Sequence, residues 1–268
     1  MSAAQYTVAD LVRVMQRLRD PQHGCPWDLE QDFQSIVPST LEECYELAHA
    51  IEEGDYGHVG EELGDVLFQV IFYSQLGAER GYFDFATVVN TLVEKLVRRH
   101  PHVFGGGEIE GVVDGDTDVQ AVSATWEAIK QEERAAREQH GALSDVPVAL
   151  PALPRAQKLQ KRAARVGFDW PEHTGVMDKL DEEIGELRAA ISAADDAAIE
   201  EELGDILFTC VNLSRHLGVD AESALRRASA KFEHRFTTME ALANDQGTGL
   251  GSLEATALEG LWERAKTS

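Results

Sequence analysis

The chain is 268 residues long and carries 48 Asp and Glu against 24 Lys and Arg, a net charge of −24. That acidity argues against a protein that lies along a nucleic-acid polymer by general attraction, and phosphate binding would need metal ions and a few local cations. Cys25, Cys44 and Cys210 are too sparse for a disulfide framework or a zinc cluster, and neither a membrane-length apolar run nor a signal-peptide core is visible, so a soluble, cytoplasmic protein of one large or two modest domains is expected.

Apolar residues at helical spacing predict a helix from Thr7 to Arg19, stopped by Asp20-Pro21. Gln22 to Asp28 reads as a turn pinned by one buried aromatic, Trp27. Ser39 or Thr40 is the expected cap of a helix running to about Glu53, with Glu42 and Glu43 near its positive end. After the Gly54-Asp55 turn a longer helix runs from Tyr56 to Arg80, and Phe85 to Arg99 closes a four-helix unit. His100-Pro101-His102 reads as a helix stop rather than a metal pair, Gly105 to Asp118 as a mobile acidic linker, and Val119 to Gln139 as a charged helix with Trp126 and Lys130.

The programme then restarts. Helices are expected over Arg155–Val166, Thr174–Ala190, Asp195–Leu217, Ala221–Ala243 and Leu253–Lys266, with Gly167-Phe168-Asp169-Trp170-Pro171 as a loop and Gly247–Gly251 flexible. The fold expected is all-α, with two tandem four-helix-bundle-like repeats: an N-terminal domain over residues 1–104, an acidic linker and connecting helix over 105–150, and a C-terminal domain over 151–268.

What repeats most closely is a set of acids. Glu42, Glu43 and Glu46 precede Glu62-Leu63-Gly64-Asp65, and Glu182, Glu183 and Glu186 precede Glu202-Leu203-Gly204-Asp205, with the same offset of 140 positions. Residues three or four apart share a helix face, so two antiparallel helices would converge Glu43, Glu46, Glu62 and Asp65 in one half, and Glu183, Glu186, Glu202 and Asp205 in the other. Such carboxylates repel by about 3 kcal/mol per pair at about 5 Å and an effective dielectric of about 20. A cation must sit among them, and oxygen ligands without histidine or thiolate favour Mg2+, with Mn2+ as a substitute. Gly204 is expected to let the helices approach closely beside the site.

Lys231 and Arg235 on one helix, with Lys266 further on, supply cations for a polyphosphate, and Trp262 could stack a base. Their counterparts Lys95, Arg99, Trp126 and Lys130 lie 136 positions earlier. No G-x-x-x-x-G-K-S/T loop is present.

E-E-x-x-E followed by E-x-x-D in an all-helical repeat resembles the MazG family, nucleoside triphosphate pyrophosphohydrolases of the all-α NTP pyrophosphatase superfamily. The resemblance extends to Arg17-Leu18-Arg19-Asp20-Pro21, Gly24-Cys25-Pro26-Trp27-Asp28, Arg99-His100-Pro101-His102-Val103-Phe104, Val166-Gly167-Phe168-Asp169-Trp170 and Lys231-Phe232-Glu233-His234-Arg235. It implies Mg-dependent hydrolysis of NTPs and dNTPs to the monophosphate and pyrophosphate, a housecleaning role and a homodimer. By position it implies magnesium at Glu183, Glu186, Glu202 and Asp205, and nucleotide at Lys179, Lys231, Arg235, Trp262 and Lys266; Glu182 and Glu183 are the candidate catalytic acids. Some members carry a lysine where this chain has Ala198. The resemblance also makes the C-terminal half the main catalytic unit.

Two other readings share part of this pattern. A di-iron carboxylate bundle needs two E-x-x-H motifs, and only Glu46-x-x-His49 has that form. A metal-stabilised helical dimerisation module would keep the acids and release no pyrophosphate.

Overall fold

The computed structural model describes residues 6–113, 118, 122, 125–126, 129, 141–144 and 146–267. Among them the regular structure is helical, without strands, and the chain divides into two units, Met1–Arg134 and Ala135–Ser268.

In the first unit α1 (Val8–Leu18) starts at a reciprocal cap, where Asp10 N donates to Thr7 Oγ1 at 3.3 Å and Thr7 N donates to Asp10 Oδ2 at 3.0 Å. A short helix, α2 (Pro26–Glu30), stands where a turn was expected. Pro26 provides its first residue, and Trp27 is 57% exposed, so the expected buried aromatic is overturned. The buried residue there is Asp28, whose carbonyl accepts from the Arg19 guanidinium.

α3 (Val37–Glu53) begins two residues before the expected cap, because Pro38 is preorganised for a first turn. Thr40 therefore lies inside the helix, donating to Ile36 O at 3.0 Å and lying 3.1 Å from Tyr73 Oη. Left-handed Gly54 and the Asp55 cap turn the chain into α4 (Tyr56–Glu79), and α5 (Phe85–Arg99) follows. Met15, Ile36, Ile71, Phe72 and Leu76 form the buried core of this unit.

His100 ends α5 as expected, its backbone N–H bonded to Leu96 and Val97 carbonyls. Residues 105–113, read as mobile linker, fold on themselves: a Cβ on Gly111 would stand 1.9 Å from Gly105 O, an approach that glycine alone permits. The predicted helix over Val119–Gln139 falls mostly outside the described residues, and Lys130 is outside them altogether.

The second unit repeats the plan with α6 (Ala152–Arg165), α7 (His173–Ala193), α8 (Asp196–His216), α9 (Ala221–Asp245) and α10 (Ala255–Ala265). α7 and α8 pack as an antiparallel pair, α6 lies along α8, and α10 packs on α9 through Met239, Ala243, Leu261 and Ala265. The turn between α7 and α8 uses Ala194 at φ 53°, the position of Gly54 in the first repeat. Gly204 does not mediate a close approach: among the described residues no atom lies within 4 Å of where its Cβ would stand, and the same holds for Gly64. Both glycines are exposed.

Candidate active site

Helical spacing and the tight α7–α8 turn bring three acids of the second repeat together. One carboxylate oxygen each from Glu183, Glu186 and Glu202 all lie within 4.8 Å of one another, and Glu43, Glu46 and Glu62 make the matching cluster in the first repeat. The buried member differs between them: Glu183 on α7 in one, Glu62 on α4 in the other. Asp205 and Asp65 stand outside these trios and are exposed, so the expected quartet is a trio with a flanking aspartate. Asp65 is still close enough to help push up the carboxyl of Glu43.

Each trio meets its own nitrogen partner. In the second repeat Lys179, one turn before Glu183, places Nζ 2.9 Å from Glu183 Oε1 and 2.6 Å from Glu182 Oε1. The hydrogen bond from Lys179 holds the Glu183 carboxyl below its usual range. Glu186 and Glu202 shift upward, through desolvation first and then the neighbouring carboxylates. In the first repeat the partner comes from the other helix, with His58 Nε2 2.7 Å from Glu62 Oε1. Glu62 Oε2 is buried with no hydrogen-bond partner among the described residues, and desolvation followed by Asp65, Glu46 and Glu62 raises the Glu43 carboxyl.

The sequence reading missed His58. It occupies the first-repeat position of Ala198, while Ser39 occupies that of Lys179, so the two repeats exchange which helix supplies the nitrogen partner. The signal was present in the i, i+4 spacing of His58 to Glu62 and of Lys179 to Glu183.

The other nucleotide-facing candidates cluster where α9 meets α10. The Arg235 guanidinium lies 5.8 Å and Lys266 Nζ 6.0 Å from the Trp262 ring centre, and Phe232 packs on the same ring at 5.5 Å. Lys266 also bonds Glu263, and Lys231 is exposed. The first repeat makes the same pair, with Arg99 5.4 Å from the Trp126 ring centre and His100 against it at 4.7 Å. Thus the intervening segment does not keep Trp126 from Arg99.

Three clustered carboxylates suit a hard divalent cation, because oxygens held this close must otherwise share protons or a lysine, and in the first repeat Glu62 Oε2 is a buried oxygen left for it. His49 is exposed and lies outside the Glu43, Glu46 and Glu62 trio, which removes support from a di-iron arrangement.

The family model for the MazG nucleotide pyrophosphohydrolase domain matches twice, over residues 31–104 and 172–239, and each match contains one trio. The chain is 48% identical to the nucleoside triphosphate pyrophosphohydrolase of Escherichia coli K12 over 96% of its own length and 95% of that protein. It is 44% identical to the nucleoside triphosphate pyrophosphohydrolase/pyrophosphatase MazG of Thermotoga maritima over 99% and 98%, and 35% identical to the nucleoside triphosphate pyrophosphohydrolase of Mycobacterium tuberculosis over 62% and 47%. With its domain present twice and relatives matching along nearly the whole chain, the protein belongs to the MazG nucleotide pyrophosphohydrolase family.

Proposed function

We propose that the protein hydrolyses nucleoside and deoxynucleoside triphosphates to the monophosphate and pyrophosphate, with Mg2+ as cofactor and Mn2+ as a substitute. The observation that carries this reading is the convergence of Glu183, Glu186 and Glu202 within 4.8 Å, in a chain whose relatives are named for that reaction. These three would hold the metal, with Asp205 at the edge, and Glu43, Glu46, Glu62 and Asp65 would do the same in the first repeat. When bound, the ion neutralises phosphate charge and makes a water more acidic.

The chain's own groups do the remainder. Lys179 balances Glu183 and would turn to a phosphate oxygen when a cation takes its place; Glu182, exposed and paired with the same lysine, would accept a proton from the attacking water. Lys231, Arg235 and Lys266 offset the triphosphate charge that a chain of net −24 would otherwise repel. Incubation with a nucleotide panel and magnesium, followed by product analysis, tests the reading. Monophosphate and pyrophosphate are expected; diphosphate and orthophosphate refute the reaction, and no product favours the metal-stabilised module.

Each repeat leaves apolar residues uncovered on its E-x-x-D helix, Leu63, Leu67 and Val70 on α4 and Leu203, Leu207 and Phe208 on α8. A homodimer would cover such surface. A monomeric mass in solution at micromolar concentration, with full activity, rules that out. No helix among the described residues is long and apolar enough to cross a membrane, and the three free cysteines agree with a cytoplasmic setting.

A further inference from the structure

The two trios share one plan up to a single exchange. Asp55 caps α4 by accepting from the backbone N–H groups of Gly57 and His58 at 3.1 Å each, and Asp195 caps α8 by accepting from Ala198 N at 3.2 Å. That pinned first turn carries the residue one turn before the E-x-x-D glutamate, which is His58 in the first repeat and Ala198 in the second. On the other helix of each pair the exchange is reversed, with Ser39 in the first repeat and Lys179 in the second. The acids themselves recur one for one.

The exchange decides what an incoming cation meets. Lys179 Nζ lies 2.9 Å from Glu183 Oε1 and 2.6 Å from Glu182 Oε1, and an ammonium group is itself a cation, so a metal ion entering the second trio must displace it. Among the described residues Glu183 has no buried oxygen without a partner. Glu62 has one. It is 6% exposed, its Oε1 lies 2.7 Å from His58 Nε2, and its Oε2 is buried and unpartnered. An imidazole donates to Oε1 as a neutral ring and stays in place while Oε2 takes the metal, the kind of outer hydrogen bond that fixes a ligating carboxylate. His58 stands beside the trio rather than inside it, since Glu43, Glu46 and Glu62 are the residues whose oxygens lie within 4.8 Å of one another.

A buried carboxylate oxygen without a partner is costly, and a ligand that satisfies it recovers that free energy. At the first trio a divalent cation does so with no ammonium group to remove. At the second, Lys179 already meets part of the repulsion among the acids, and the ion has to compete with it. The two sites therefore fill in order. A triphosphate changes the second, because its phosphate oxygens give Lys179 another partner while the metal takes Glu183.

We propose that Glu43, Glu46 and Glu62 form a resident divalent-cation site that fills without nucleotide and more tightly than Glu183, Glu186 and Glu202, with His58 as its positioning residue. The proposal rests on the reading that both trios hold metal. It makes the repeats unequal: the first keeps a cation that ties α3 to α4, and the second takes its cation up with substrate.

The test titrates the full chain with Mn2+ alone and counts bound ions by the loss of the free-ion electron paramagnetic resonance signal. The unaltered protein is expected to bind one Mn2+ about tenfold more tightly than a second. Glu62→Gln should remove the tight site, and Glu202→Gln the weak one. His58→Ala should weaken the tight site about tenfold, the lower end of the roughly 10–100-fold cost of losing an outer hydrogen bond, and His58→Gln, whose amide also donates, should restore most of it. Lys179→Met should tighten the weak site. His58 is 46% exposed, so its variants decide the matter even where Glu62→Gln does not fold. The proposal is overturned by two equal sites, by no Mn2+ bound without nucleotide, by a tight site that survives Glu62→Gln, or by affinities that His58→Ala or Lys179→Met leaves unmoved. Equal loss in His58→Ala and His58→Gln likewise removes the positioning role. Pyrophosphate release measured on the same samples separates this site from the proposed reaction. Release by a protein without a tight Mn2+ site sinks the site alone, and a tight site in a protein that releases no pyrophosphate sinks the reaction and leaves the site standing.

Discussion

Lys179 Nζ lies 2.9 Å from Glu183 Oε1, so the buried acid of the second trio is neutralised by a lysine of its own helix. A bound cation would compete with that lysine for the same oxygen. Replacing Lys179 with Met leaves Glu183 without its partner, and the metal-free protein should melt several degrees lower, with the deficit shrinking when magnesium is added. Melting curves in chelator and in magnesium check this; an unchanged melting temperature in chelator means that the pair carries no weight.

Ala194 occupies a left-handed turn at φ 53° where the first repeat has Gly54 at φ 74°. A residue with a Cβ pays about 1–2 kcal/mol there, partly offset by the smaller entropy of its unfolded chain, about 0.4–1 kcal/mol. Ala194→Gly should therefore stabilise the second unit by about 0.5–1 kcal/mol, and Gly54→Ala should destabilise the first by a similar amount. Denaturant unfolding of the two variants measures both signs.

Arg19 is buried, and its Nε and Nη2 donate to Glu79 at 2.8 and 2.7 Å. Those hydrogen bonds hold the Glu79 carboxyl below its ordinary value of 4.5. A lowered carboxylate contributes stability that is present above the unfolded value and is lost as pH falls through the folded one. Because Glu79 is about one-third exposed, Glu79→Gln should cost about 1–2 kcal/mol at neutral pH, less than the 3–5 kcal/mol typical of a fully buried pair. That difference should shrink steadily below pH 4.5. Paired melts of variant and unaltered protein from pH 7 down to pH 3 test the sign.

The helices and the paired acids were legible because both follow from spacing alone: apolar residues at the helical period, and E-E-x-x-E with E-x-x-D recurring at an offset of 140. What escaped depended on which side chain fills which space. Trp27 was expected to be buried because it is large, but Pro26 starts a helix that turns it outward. Thr40 has cap chemistry, yet Pro38 begins the helix earlier. Glycines at 105 and 111 read as flexibility, whereas their close backbone contact needs the missing side chains. The expected quartet included Asp205, since i, i+3 spacing places Asp205 near Glu202 without saying whether it reaches the others. Phe72 and Asn212 share a register, and only packing shows one as a plug and the other as the wall of a cavity.

We propose that the second repeat carries most of the catalysis, although both repeats hold a carboxylate trio. The support is local: Lys179 stands against the buried acid of the second trio, where the first repeat has Ser39. The most direct test is pyrophosphate release from a nucleoside triphosphate under saturating magnesium by two variants of the full chain, one with Glu202 and Asp205 replaced by Ala, the other with Glu62 and Asp65 replaced by Ala. The Glu202/Asp205 variant is expected to lose nearly all turnover and the Glu62/Asp65 variant to keep most of it; loss confined to the Glu62/Asp65 variant, or about half the turnover lost in each, would overturn the assignment.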